Sequence, residues 1–326
     1  MKKIALICVF ISLISILSGS GGAALNKNSD SGKSKFLYLV AGFDDAAENT
    51  DVLFTVGVDT DSSTAYVAQI PRDTYFAFGE SQNKINQIYA VKRLRGSNQS
   101  DAMKATTDAI SSAFGVEFDG YIGVTVDSFK KIVDAIGGVD IEVPQDITLQ
   151  IDGEMPLLLH RGVNHISGSD AEKFVRYRKG YATGDLGRID AQKLFLNAIF
   201  AKFSSAISVN SIIDLASVIK TDVITNLGIS DLFSVLLKTN RSKAEKRTFY
   251  ATVPGEAAFS SNGLSYYVLN RKSAAETARK YMFSKGKFDI EEKFLNKDDS
   301  KFVDIYRSEN IFVKEFSNKN LADIKI

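Results

Sequence analysis

The sequence predicts an α/β fold, strands and helices alternating within one mixed sandwich, behind an N-terminal signal or membrane-anchor segment. Three observations carry that reading. β-branched apolar runs alternate with stretches of helical periodicity across the first half of the chain. Glycine and polar residues punctuate them at nearly every change of period. No repeat of fixed length is visible, which removes solenoids and propellers.

In chain order, Met1-Lys2-Lys3 is a positive start, and Ile4 to Leu17 is almost wholly apolar before the small residues Ser18 to Ala24. Residues 1–25 therefore read as an export signal or anchor, with the two lysines holding the short terminus in the cytoplasm and the domain outside. The single cysteine, Cys8, lies inside this run, so the remainder depends on no disulfide. Residues 26–35 read as a polar linker.

Phe36 to Val40, Asp51 to Val58 and Thr64 to Ile70 read as three strands. Their ends carry Asp44, Asp51 and Pro71-Arg72-Asp73, which suggests a sheet whose edge faces a site. From Lys84 to Phe114 the period becomes helical and Gly115 ends it. Asp119 to Val126 returns to strand, Asp127 is the expected cap of a helix from Ser128 to Ile136, and Gly137-Gly138 closes that helix before the strand Val139 to Val143.

A short helix from Ser169 leads into the densest chemistry of the chain, Phe174 to Gln192, FVRYRKGYATGDLGRIDAQ. Arg176, Arg178 and Arg188 are permanently charged planar forks matched to phosphate oxygens, with Asp185 among them. The plainer reading is a solvated basic loop. Beyond it, Ile189 to Phe203, Ile212 to Ile219 and Asp231 to Leu237 read as helices, Thr248 to Val253 as a strand and Ala274 to Phe283 as a last helix. From Ser284 the sequence turns patchy and charged, and 284–326 reads as a weakly structured polar extension.

Composition narrows the function classes. Forty basic against 39 acidic residues give no global attraction to nucleic acid, so anion binding must come from local clusters. With 44% hydrophobic residues and 24% charged, a large core is available. His160 and His165 have no second ligand at metal spacing, and neither a Gly-Lys-Ser/Thr phosphate loop nor a G-x-S-x-G elbow is present. Two carboxylates with phosphate oxygens would make a magnesium site; each aspartate alone would be a turn or cap residue.

Six blocks in order, GFD (Gly42 to Asp44), NTD (Asn49 to Asp51), IPRDT (Ile70 to Thr74), KIN (Lys84 to Asn86), VDAIGGVDIEVP (Val133 to Pro144) and FVRYR…GDLGRIDAQ, resemble the LytR-CpsA-Psr family of cell-envelope proteins over about Phe36 to Phe283. The resemblance implies an α-β-α domain over 36–283, a mixed central sheet flanked by helices. It implies an enzyme on the outer face of the membrane that moves an anionic glycopolymer, of teichoic or capsular type, from a polyprenyl-pyrophosphate carrier to peptidoglycan with Mg2+, and no nucleic-acid partner. By motif, Asp44 and Asp51 would hold the metal, and Arg72, Arg176, Arg178, Arg188 and Gln192 the pyrophosphate. Arg72, Asp73 and Asp185 would form the catalytic group, Asp73 or Asp185 taking the hydroxyl proton. An apolar tunnel between sheet and helices would take the lipid tail. Asn49 stands where the family usually has arginine, and the GFD to NTD interval is short. Two other readings keep the same site: a polyprenyl-pyrophosphate phosphatase, and a non-catalytic protein that holds the lipid-linked precursor.

Overall fold

The structure, a computed structural model, describes residues 33–43, 49–79, 83–150, 155–177, 209–228, 247–285 and 293–309, with 153, 194, 195, 198, 199, 202, 230, 231, 316 and 317 between or beyond them. The N-terminal apolar run lies outside these residues, as do Asp44, Arg178, Asp185, Arg188 and Gln192. No helix among the described residues is long and apolar enough to cross a membrane.

The centre is β1 (Lys35–Phe43), β2 (Thr50–Asp59) and β3 (Thr64–Ile70), antiparallel neighbours in chain order. β4 (Gly120–Val124) pairs parallel with β1, and β10 (Arg247–Thr252) pairs parallel with β3. β9 (Val223–Thr225) and β13 (Phe316–Ser317) close the two edges, giving the order β13-β10-β3-β2-β1-β4-β9. β1 is buried from Leu37 to Phe43 without alternation. That is the pattern of a strand covered on both faces.

The two faces sort by parity, since successive strand residues point to opposite sides. Tyr38, Val40, Val52, Phe54, Val56 and Val67 pack under α3 (Val126–Ala135), α4 (Gly168–Arg176) and α5 (Val209–Asp222). Leu37, Leu39, Ala41, Phe43, Leu53 and Ile70 pack under α1 (Gln87–Leu94), α2 (Gln99–Phe114), α6 (Arg271–Tyr281) and α7 (Ser300–Arg307). Gly57 marks the closest approach: a Cβ there would lie 2.6 Å from the Tyr281 carbonyl oxygen, so α6 could not sit so near the sheet over a larger residue. Phe195, Ala198 and Ile199, expected on a helical face, are buried in the first of these layers.

Small two-stranded sheets surround this frame. β5 (Val139–Val143) pairs with β8 (Gly162–Ile166), β6 (Ile147–Leu149) with β7 (Leu157–Leu159), and β11 (Gly255–Phe259) with β12 (Ser265–Leu269).

Two expectations need correction. The cap of α3 is Thr125, whose hydroxyl accepts from the Ser128 amide in a capping box, and Asp127 sits in the first turn paired to Lys130 at 2.8 Å. Threonine at the end of a strand already has the extended backbone that a cap requires, so the helix begins earlier than the aspartate suggested. The hairpin β11-β12 lies between Val253 and Ala274, where the sequence reading assigns no element. The second correction is toward the C-terminus: Phe294, Leu295, Phe302, Ile305 and Tyr306 are at most 9% exposed and belong to the core, so residues 293–309 are not weakly structured. Phe302, Ile305 and Tyr306 are spaced three and four apart and form one apolar face of a short, otherwise charged helix.

Candidate active site

The ends of β1, β3, β4 and β10 lie on one edge of the sheet, because β1 and β4 run parallel and so do β3 and β10. The start of β2 joins them there, Thr50 opposite Phe43 and Leu53 opposite Ile70. The carboxyl ends of parallel strands are the usual ligand edge of such a sheet. Asp51, at the start of β2, is thereby brought beside Arg72 and Asp73, which follow the end of β3.

Arg72 is the centre of the cluster. Its Nη1 donates to Asp51 Oδ1 at 2.7 Å, and its Nε stands 3.4 Å from Asp73 Oδ2. That second approach lacks hydrogen-bond geometry and leaves a buried Nε donor unused. Burial works against the guanidinium charge, yet the bond to Asp51 and the Asp73 and Asp51 charges outweigh it and raise its pKa further above the ordinary value. Arg72 is therefore cationic at every working pH. On the far side of Asp73, Lys84 Nζ donates to Oδ1 at 3.1 Å. An open cavity of about 220 Å³ is lined by Asp51, Arg72, Asp73 and Gln69, with Tyr266 and Tyr267 across from them.

The loop that carries Arg72 and Asp73 is fixed by backbone bonds on both sides. Tyr267 N donates to Asp73 O at 2.8 Å and Tyr75 N to Tyr267 O at 3.0 Å, while Ile85 N donates to Thr74 O at 2.9 Å. Residues 73–76 are thus the middle of a short three-stranded patch between β12 and the segment around Lys84. Burial pushes the Tyr267 hydroxyl up to about 12, so it remains a neutral donor, here to Val253 O at 3.2 Å. Asn86 N donates to Arg72 O and Thr50 Oγ1 donates to Asn86 O, which ties the same segment to the start of β2. The Asn86 side-chain oxygen is buried with no donor.

Arg176 is the last residue of α4, and the direction of that helix follows from its contacts with α3. Gly168 N donates to Asp134 Oδ1 at 2.7 Å near the far end of α3, and Glu172, one turn later, reaches Lys130 at 3.7 Å. The two helices run antiparallel, so α4 carries its C-terminal end back toward Thr125, which directly follows β4 on the site edge. Tyr177 is buried against this layer. A larger cavity of about 610 Å³ lies at the start of β1, about 25–30 Å from Asp51 by strand length, and holds none of the expected site residues.

Of the expected residues, then, Asp51, Arg72 and Asp73 meet, and the backbone of Arg176 heads toward the same edge. Lys84 stood inside a quoted motif without a role. Tyr266 and Tyr267 were missed, although SYYVL following Ser-Asn-Gly is a hairpin signal of the ordinary kind.

A mixed sheet between helical layers, with Arg72, Lys84, Asp51 and Asp73 gathered at its strand ends, defines an α/β protein with a charged cluster at the usual ligand edge of the sheet. Residues 18–282 match the LytR_cpsA_psr family, and the chain belongs to it. Its sequence is 30% identical over 217 residues to TagV of Bacillus subtilis (strain 168), named a polyisoprenyl-teichoic acid–peptidoglycan teichoic acid transferase, across 63% of this chain and 53% of TagV. It is 30% identical over 235 residues to the transferase of the same description, TagU, of Bacillus mycoides (strain KBAB4), across 70% of this chain and 72% of TagU. The crystal structure of B. subtilis TagV superposes with a TM-score of 0.58 at 25% identity, covering 78% of this chain and 99% of that one.

Proposed function

We propose that the protein is a phosphotransferase that moves an anionic cell-wall glycopolymer, of teichoic or capsular type, from a polyprenyl-pyrophosphate carrier to a hydroxyl of peptidoglycan. The reaction takes place on the outer face of the membrane, with residues 1–25 as anchor. The observation that carries this reading is the half-exposed Arg72 held between Asp51 and Asp73 at a cavity that all three line. A guanidinium oriented by carboxylates and partly exposed at a cavity suits a phosphate oxygen. The relatives named above support the choice of substrates.

In the reaction the peptidoglycan hydroxyl attacks the phosphorus that bears the glycopolymer. A P–O bond to the carrier breaks, polyprenyl monophosphate leaves, and the hydroxyl proton passes to a carboxylate. Asp73, 41% exposed at the cavity and adjacent to Lys84, is placed for that role; Asp185 is the other candidate. Arg72, Arg176, Arg178 and Arg188, with Gln192, hold the pyrophosphate oxygens and steady the charge that develops on the leaving phosphate. Such transfers are accelerated chiefly by positioning and electrostatics.

Magnesium fits the donors at this edge. The Asp51 carboxylate and the buried, unpartnered side-chain oxygen of Asn86 belong to segments tied together through Thr50, and both are hard oxygen ligands. Asp44 and Asp51 would hold the ion. Bound there, it supplies further neutralisation of pyrophosphate charge.

The test is transfer of a labelled lipid-pyrophosphate-linked glycopolymer to peptidoglycan by the purified protein with magnesium. Turnover should fall by about 100-fold or more in Arg72→Ala and in Arg176→Ala/Arg178→Ala, and on chelation, as expected when a donor to developing charge is lost. Release of lipid monophosphate without peptidoglycan would instead indicate a phosphatase. Tight lipid binding without turnover would reject transfer and leave a precursor-binding protein, the reading to which Asn49 points.

A further inference from the structure

The family match ends at residue 282, but the site does not. Lys84 Nζ, besides donating to Asp73, lies 5.5 Å from the centre of the Tyr266 ring. A cation over an aromatic face is attracted by the ring quadrupole and so held in direction as well as distance. The Tyr266 ring is in turn fixed by two others. It meets Tyr75 edge to face at 5.5 Å and Phe302 edge to face at 5.6 Å, and Tyr75 meets Phe302 at 5.6 Å. All three rings are at most 9% exposed, and Phe302, at 0%, is the one buried most deeply. Phe302 belongs to α7, which is fastened to the hairpin side of the molecule: the Ser261 amide donates to Asp299 Oδ2 at 3.1 Å, and the Asn270 side chain donates to the Ile305 carbonyl oxygen.

We propose that α7 is a working part of the active site and that Phe302 is a positioning residue: through Tyr266 it sets Lys84, and through Lys84 the carboxylate of Asp73. The chain of contacts is continuous and each link is directional. Two edge-to-face rings leave Tyr266 one orientation, the ring face gives Lys84 one side to lie on, and the ammonium fixes one oxygen of Asp73. Without Phe302 the Tyr266 ring gains a void on one side and can tilt, which releases Lys84 from its face. Lys84 then becomes a mobile surface cation. The proposal concerns the acceptor side of the site and rests on the transfer reading only for its effect on turnover.

The experiment uses the full chain with lysines dimethylated by 13C-formaldehyde, the Lys84 resonance being assigned by its loss in Lys84→Arg. In the wild type the ring current of Tyr266 should displace this resonance upfield of the other lysines. Phe302→Leu, which keeps bulk and removes the ring, should return it toward the exposed-lysine position. In the transfer assay the same substitution should lower kcat by about tenfold in the wild-type background and have no further effect in Lys84→Met. A Lys84 resonance that does not move in Phe302→Leu overturns the proposal. So does an equal loss of kcat in the Lys84→Met background, which would mark general destabilisation. If Phe302→Leu does not fold, Phe302→Met, which also keeps bulk and removes the ring, must release Lys84 in the same way, and an unmoved resonance there overturns it equally. Absence of transfer by the wild type would count against the proposed function, and the resonance would still decide the inference.

Discussion

Arg72 joins two carboxylates from different strands, and its chemistry depends on the planar fork. Nη1 serves Asp51 while Nε remains beside Asp73. A lysine at this place has one ammonium on a flexible stem and cannot keep both directions. Arg72→Lys should therefore lose about 100-fold in kcat/KM with the fold intact, measured in the transfer assay; a loss under about threefold would show that charge alone suffices. Tyr267 gives a second prediction at this scale. Its hydroxyl is raised from 10.0 to about 12 by burial, so the neutral form is the one the fold favours. The stability tied to that proton is complete below pH 10, where the unfolded chain also keeps it, and is lost as pH rises through about 12. A phenolate absorbance titration should show a late step near pH 12 that Tyr267→Phe lacks.

At the scale of elements, α3 and α4 form the lever that returns Arg176 to the site edge. Thr125 starts that lever, and Thr125→Ala should cost about 1 kcal/mol in urea denaturation through loss of the cap bond. Gly168 sets the angle between the two helices: a Cβ there would lie 2.2 Å from the Lys130 carbonyl oxygen, so only glycine allows α4 to begin against α3. Gly168→Ala forces the helices apart. It should cost about 1–3 kcal/mol and lower transfer as well, because Arg176 rides at the other end of the same helix. Stability lost with transfer unchanged would mean that α4 does not place that arginine. The elements also show which sequence signals suffice. β1, β2, β3, α2 with its Gly115 cap, and α5 were legible from apolar runs, period and punctuation, since each buries a face long enough to write its spacing into the sequence. β9, β6 and β7 are three residues long, and at that length period two cannot be told from chance, whereas β11-β12, at five residues each, carried a turn signal at Asn262-Gly263 that went unread.

Across the whole molecule, one helical layer comes from the middle of the chain, α3 to α5, and the other is completed by α6 and α7 from its C-terminal part. α7 covers Tyr75 and Tyr266, and Phe294 meets Phe76 and Phe114 at 5.2 and 4.9 Å. Ending the chain after Phe283 removes five large side chains buried in this layer. Each contributes about 1.5–3 kcal/mol when buried, and their sum is comparable to the whole net stability of a domain, about 5–15 kcal/mol. The shortened protein should bind a hydrophobic dye and lose near-ultraviolet circular dichroism, whereas a chain ending after Glu309 should keep both native signals. A cooperative, dye-silent protein ending at Phe283 would show that the C-terminal segment is dispensable.

What the sequence alone determined was the chemistry available and the elements that carry it. Strands covered on both faces must be apolar throughout, helices between layers must repeat near 3.6, and arginines gathered among aspartates and glycines announce an anion. The joint order of short motifs added the family. Only the tertiary structure decided which of those groups meet. Antiparallel pairing of β2 with β3 set Asp51 beside Arg72 and Asp73, and the bridge of Tyr75 to Lys84 brought the lysine to the same carboxylate, which made one cluster of the four. The tertiary structure also brought Phe302 from beyond residue 282 to the back of Tyr266, the ring on which Lys84 lies, a contact between segments whose separation along the chain leaves no periodic trace, because long-range packing depends on topology and not on local spacing.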